Sequence, residues 1–248
     1  MYPSTINTYS LIHLQKAEST NNYAASIENQ SKIQHKTVIL ASFQSKGKGQ
    51  YNNVWQSEPD LNLLLSICLF PKAIDVANQF DLSRITTLAI RDSLSYFLKS
   101  PISIKWPNDI FVLNKKIAGV LIENILNKNK IERSIIGIGI NVNQTSFEDI
   151  VATSFKNESD KNWDLARILE YLLYRFDHYL EMIDSKKEEI HRLFDLYLYK
   201  RKDWIKMSTK KLGEFSGRII GTESNGMLLV EDEQLILHRF SHKEVLFN

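Results

Sequence analysis

An α+β fold, with a mixed, largely antiparallel sheet, helices on one side and a small C-terminal β-barrel, is predicted by three observations. Short apolar runs at 102–106, 109–113 and 116–124 are followed by a polar turn, 127–130, and a returning run at 131–143. A meander of this kind makes antiparallel pairs. From Trp163 to about Lys202 there is no glycine, and the stretch reads as two helices. The tail then packs four glycines among several short apolar runs, the pattern of a small all-β unit.

The elements follow in order. "YSLIHL" (9–14) and "TVILASF" (37–43) have the length and composition of buried strands. Between them, "ESTNNYAASIENQ" (18–30) reads as a helix, with Ser19 or Thr20 placed where a hydroxyl can cap free N–H groups. The apolar run 61–70 is a strand ended by Pro71, and residues 80–98 carry apolar side chains at helical spacing. Residues 144–162 read as a polar loop. In the tail, "SNGM" is an Asn-Gly hairpin turn. Two units are expected, a main domain over 1–207 and a small barrel over 208–248.

Composition limits what the chain can do. At 248 residues, 43% hydrophobic and 24% charged, it has material for an ordinary core. A net charge of +2 lacks the basic bias of a dedicated nucleic-acid binder. The single Cys68 cannot form an internal disulfide, and no secretory or membrane-spanning run is visible. A cytoplasmic protein is expected. No P-loop spacing, no complete G-x-G-x-x-G, no G-x-S-x-G and no HExxH occurs. His238 and His242 lie four apart in strand-like sequence and read as solvated surface residues.

Three segments carry candidate chemistry. Gly47-Lys48-Gly49, followed by Gln50 and, further on, Trp55, lets backbone N–H groups approach an anion beside a cation; a flexible basic surface loop has the same composition. "KWPND" (105–109) fixes the polar tips of Asn108 and Asp109 beside the Trp106–Pro107 anchor, or is a plain strand–turn–strand. "KIAGVLIE" (116–123) opens an apolar strand with Lys116 and removes a side chain at Gly119; a solvated strand-end lysine is the plainer alternative.

Together these segments, with "GIGINVN" (137–143) and Ser19-Thr20-Asn21, resemble the biotin protein ligases of the monofunctional type, in order and spacing, over about 15–145. The resemblance implies the class II synthetase-like biotin/lipoate ligase catalytic fold with a small C-terminal barrel. It implies activation of biotin by ATP and Mg²⁺ to biotinyl-5'-AMP and transfer to a lysine of a carboxyl-carrier domain. By resemblance, Lys116, Lys48 and Asp109 are catalytic, with Asp109 orienting the incoming amine and accepting its proton. Ser19, Thr20, Asn21, Gln44, Lys48, Gly49, Gln50, Lys116 and Gly119 are biotin-side positions. Gly47, Trp55, Lys105, Trp106, Asn108 and Asn141 are nucleotide-side positions. No protein metal site is assigned.

The chain departs from the pattern where many members carry Arg at Lys48 and Gln50 and Gly at Asn52. Lys cannot make the two parallel hydrogen bonds of Arg, so a more mobile loop and faster escape of the adenylate are expected. The catalytic pattern starts almost at once, so no DNA-binding domain and no DNA partner are expected; a homodimer and the identity of the acceptor carboxylase stay open. A lipoate or octanoate ligase or transferase of the same fold, and an inactive carrier-binding homologue, are the alternatives.

Overall fold

The computed structural model describes residues 5–50, 53–71, 74–148 and 150–247. Seven strands form the main sheet: β1 (Ser10–Ala17), β2 (Thr37–Gln44), β3 (Leu63–Leu69), β4 (Ile102–Lys105), β5 (Asp109–Val112), β6 (Lys115–Asn127) and β7 (Lys130–Ile140). Their spatial order is β1-β2-β3-β7-β6-β5-β4. Only β1 and β2 pair in parallel; all other neighbours are antiparallel, so the sheet is mixed and largely antiparallel as expected.

The sheet is covered on both faces, which is why every residue of β3 is buried. One face carries the main core, where α2 (Phe80–Phe97) and α4 (Leu165–Met182) bury Leu82, Leu88, Leu172 and Phe176 against Ile67, Ile136 and Ile138. Beside α2 lies α5 (Lys187–Leu196), with Phe194 edge-on to Phe80. The other face holds a smaller cluster in which Ala24 of α1 (Thr20–Ala25) meets Ile39, Cys68 and Ile135. Beyond α1 that face is open, and the candidate site occupies the open part.

Several expectations need local correction. The helix expected over 18–30 is α-helical only for six residues, then 3-10 from Ile27 to Lys32. Ser19 stands at the N-cap, but its hydroxyl makes no capping bond. The expected loop 144–162 contains the short helix α3 (Phe155–Ser159), capped by the Ser154 hydroxyl, which accepts from the Asn157 N–H.

The C-terminal unit is a five-stranded antiparallel sheet: β8 (Trp204–Thr209), β9 (Gly213–Thr222), β10 (Leu228–Asp232), β11 (Leu237–Phe240) and β12 (Val245–Phe247), in the order β11-β10-β9-β8-β12. Among the described residues β11 and β12 do not pair, so the sheet is open rather than a closed barrel. Position 208 falls inside β8. The Asn225-Gly226 turn joins β9 to β10, with Gly226 at φ +91°. A Cβ on Gly226 would lie 2.3 Å from Phe80, so glycine is required on both counts.

That turn docks on the main domain. Arg84 of α2 is fully buried; it donates to Asp81 at 2.8 Å, to the Ser224 carbonyl at 3.0 Å, to Thr222 at 3.2 Å and to the Glu223 carbonyl. Trp106 donates its indole N–H to the Gly226 carbonyl at 2.8 Å. A buried guanidinium is stable only when paired and hydrogen-bonded in this way.

Candidate active site

Gly119 of β6 and Gly139 of β7 are directly opposed across the ladder. Two glycines side by side leave a bare patch of sheet, and the indole of Trp55 lies on it. A Cβ at Gly139 would come within 2.5 Å of Trp55 Cε2, and one at Gly119 within 3.2 Å of Trp55, Lys116 and Asp109. Trp55 reaches this position because the Gly-Lys-Gly segment folds back on itself: Lys48 bridges Val54, the Gly49 N–H donates to the Asn53 carbonyl at 2.7 Å, and the Trp55 N–H donates to the Gly47 carbonyl at 2.9 Å. A Cβ on Gly47 would lie 2.4 Å from the Trp55 carbonyl, so the fold-back needs glycine there. Asn52 lies outside the described residues.

On one side of the indole the cavity ends in neutral polar groups. The Thr20 N–H and hydroxyl both point to Gln44 Oε1, at 2.7 and 3.1 Å. Ser66 stands between Thr20 Oγ1 at 2.7 Å and Asn21 Oδ1 at 2.6 Å. Asn21 donates to Glu123 at 2.7 Å, which orients its amide, and Gly137 makes room for it: a Cβ there would lie 2.5 Å from Asn21 Oδ1. Leu65, Val120 and Leu121 line the walls between these groups.

Two ion pairs complete the lining, one of them through the same Glu123 that orients Asn21. Lys116 Nζ is 2.6 Å from Asp109 Oδ1 and sits over the Trp55 ring at 5.6 Å. Lys48 Nζ is 4.0 Å from Glu123 Oε1. Both lysines are partly exposed, so each is a cation facing the cavity with a carboxylate neighbour that a stronger anion can displace. The shielded Trp55 Nε1 and Gln50 Oε1 have no hydrogen-bond partner among the described residues, and buried polar groups normally have one. A ligand with complementary groups would satisfy them.

Of the residues singled out from sequence, Ser19, Thr20, Asn21, Gln44, Lys48, Gly49, Gln50, Trp55, Asn108, Asp109, Lys116 and Gly119 line this one cavity. Gly47, Lys105, Trp106 and Asn141 do not. Lys105 lies over the Phe111 ring at 4.9 Å; burial holds its pKa below the usual lysine range, Lys116 and Lys200 act in the same direction, and Asp109 opposes them. Trp106 faces the second sheet, where its indole N–H meets the Gly226 carbonyl; the Trp106–Pro107 peptide is cis. Asn141 is buried and donates to the Thr153 carbonyl at 3.0 Å, tying the 151–153 segment beside β6.

Sequence reasoning passed over three contributors. Ser66 interrupts the apolar run 61–70, and Glu123 closes the "KIAGVLIE" segment within β6; a polar residue in an otherwise apolar strand is the available signal. His242, read as surface, is half-buried and lines the cavity from the loop between β11 and β12. No local signal marks it.

A second cavity adjoins the first and shares Gln50, Asn108, Val120 and His242 with it. Its remaining walls come from α2, the Trp106–Pro107 turn, β6 and the Asn225–Met227 turn of the second sheet.

Known proteins resemble this chain over most of its length. Residues 13–141, just over half of the chain, match the model of the biotin/lipoate A/B protein ligase family. The bifunctional ligase/repressor BirA of Bacillus spizizenii is 29% identical over 237 residues, covering 93% of this chain and 72% of that one. The biotin–[acetyl-CoA-carboxylase] ligase of Mycobacterium tuberculosis is 29% identical over 143 residues, 54% of this chain and 52% of that one. Among solved structures, the Aquifex aeolicus biotin protein ligase in complex with biotin and ATP superposes with a TM-score of 0.81 at 26% identity, covering 96% of this chain and 98% of that one.

Proposed function

The chain belongs to the biotin/lipoate A/B protein ligase family, and on that premise we propose that it is a biotin–protein ligase. It condenses biotin with ATP to biotinyl-5'-AMP and pyrophosphate, then passes the biotinyl group to a lysine of a biotin carboxyl-carrier domain. The observation that carries this reading is the meeting, in one cavity, of neutral hydrogen-bonding groups at Thr20, Asn21 and Gln44 with two cations, Lys116 and Lys48. Biotin has a group to match each, an uncharged ureido ring and a distal carboxylate.

In the first half-reaction a carboxylate oxygen attacks the α-phosphorus and the bond to the β-phosphate oxygen breaks. The two reactants are both anions. Lys116 and Lys48 offset their repulsion, and because the fold already holds the two lysines in the cavity, little reorganisation accompanies the reaction. Trp55, packed on the glycine patch, is proposed to separate the ring end from the nucleotide end, with Asn108 on the nucleotide side. Mg²⁺ is proposed to enter with ATP. Among the described residues no three His, Cys, Asp or Glu side chains converge, which suits an ion liganded by phosphates and water. In the second half-reaction Asp109 is proposed to orient the incoming amine.

Lysine for arginine at 48 and glutamine at 50 are proposed to loosen retention of the adenylate. Cytoplasmic residence and absence of DNA binding are proposed from composition; no helix among the described residues is long and apolar enough to cross a membrane. The deciding assay incubates the protein with biotin, ATP and an apo carrier domain and detects label with avidin. Lipoate added in excess should leave the avidin signal unchanged; no avidin signal with biotin, together with a lipoyl mass increment on an apo lipoyl domain, would assign the chain to the other branch of the family.

A further inference from the structure

We propose that His242 is the proton acceptor for the incoming lysine in the transfer half-reaction, supplied by the second sheet to a site otherwise built on the first. The inference rests on the biotin–protein ligase reading above. It starts from Asp109, whose carboxylate is already paired with Lys116 at 2.6 Å. An ordinary carboxylic acid has a pKa of about 3.9 and an imidazolium about 6.5, so an imidazole is the better acceptor for the proton and Asp109 is left to orient the ammonium. A lysine ammonium has a pKa of about 10.4 and must lose a proton before it can attack.

His242 stands where that proton has to go. It borders both cavities and, with Gln50, Asn108 and Val120, forms the neck between them. Its ring is edge-on to Trp106, with centroids 5.7 Å apart, and Trp106 is itself held by the Gly226 carbonyl. The imidazole is therefore buttressed. Among the described residues no Lys, Arg, Asp or Glu lines the second cavity. Phosphates find no cation there, whereas a long side chain can pass along its neutral walls of Phe80, Pro107 and Ile122 and arrive at the neck. The charged groups that bear on the imidazole are Lys243 on its own loop and Asp109 on β5, the latter paired with Lys116 on β6. Burial, then Lys243, hold the imidazole pKa below the ordinary histidine range, and Asp109 opposes them. The neutral, accepting form prevails at pH 7.

His242 takes one proton from the ammonium and later releases it to solvent. The neutral nitrogen attacks the biotinyl carbonyl carbon and forms the C–N bond. The C–O bond to the phosphate breaks with its electron pair on AMP, and the second proton of the amine goes to water.

The test uses the full chain with His242→Gln and His242→Asn, measuring biotinyl-5'-AMP formation and single-turnover transfer to an apo carrier domain separately. Transfer should fall about 10²-fold further than adenylate formation, the usual size of a general-base contribution. The transfer rate of the parent should rise through an ionisation below the ordinary histidine range, and the variants should lack that limb. Equal losses in both half-reactions, or a selective rise in the KM for ATP, would assign His242 to the nucleotide and overturn the proposal. Unchanged transfer, or a pH profile identical to the parent's, would also overturn it. Failure of the parent itself to make biotinyl-5'-AMP would instead sink the underlying biotin reading, so the two failures are distinguishable.

Discussion

Gly139→Ala tests the glycine patch directly. The added methyl would stand 2.5 Å from Trp55 Cε2, 2.7 Å from Cζ2 and 2.9 Å from Cδ2. Ordinary contact needs 3.4–4 Å, so the indole must rise by about 1 Å, a displacement of the kind that overpacking produces at a cost of roughly 1–3 kcal/mol. Trp55 is only half-buried and sits on a loop, so it yields more easily than a core side chain. The loss should therefore appear in ligand binding more than in stability. Biotin affinity should weaken about tenfold, or about 1.4 kcal/mol, with the unfolding free energy reduced by about 1 kcal/mol or less. Calorimetric titration of the parent, G139A, W55A and the double variant checks the cause. With the ring removed, the methyl has nothing to strike, so the two changes should be coupled by about 1 kcal/mol. Gly119→Ala, whose Cβ meets its neighbours at 3.2 Å, should have a smaller effect. Additive costs, or parental affinity in G139A, would refute the idea that Trp55 is seated by the two glycines.

Lys116→Ala should slow adenylate formation about 10³-fold, from roughly 4 kcal/mol for two charges at ~4 Å in an effective dielectric of about 20; parental rates would remove the lysine from the chemistry. Asp81 receives hydrogen bonds from His191 and Lys187 and pairs with Arg84; these outweigh the upward push of burial and hold its pKa below the usual carboxylate value. Its contribution is fully present above an unfolded pKa of about 3.9 and is lost as pH falls through the lower folded value. The urea midpoint of Asp81→Asn should thus lag the parent's at neutral pH and converge with it in acid; a constant gap down to pH ~2 would contradict the linkage. Burial, opposed by Arg133, pushes the Cys68 thiol up to about 11, so iodoacetamide should modify it only after unfolding, and rapid labelling of the folded protein would show that face of the sheet to be open.

Much of the fold was legible because strand alternation and helical spacing are local. The meander 102–143 and the helices after Trp163 needed no tertiary information. Helix α3 was missed although its signal was local too: Ser154 before Phe155 is an ordinary N-cap, obscured by the polar residues around it. Closure of the second sheet could not be read, because whether β11 and β12 meet depends on strand tilt rather than on apolar pattern. In the site, the motif lysines and the residues at 19–21 were visible by resemblance. The seating of Trp55 on two glycines some 60 and 80 residues away was not visible, because a glycine does not announce what lies above it. Asn141 misled for the opposite reason: it stands in a motif, yet its amide holds a neighbouring segment. His242 comes from a loop more than 130 residues from Asp109, and only the docking of the second sheet places it at the neck.

The anchoring of the Asn225-Gly226 turn by Arg84 and Trp106 bears on how such chains can be recombined. Both anchoring donors belong to the N-terminal portion and all their carbonyl acceptors to the C-terminal one. A relative's last forty or so residues also bring carbonyls, but these meet Arg84 and Trp106 only if its turn places them alike and leaves Phe80 room as Gly226 does. Swaps between relatives should therefore take α2 and the Trp106 turn along with the tail, as a single inherited block.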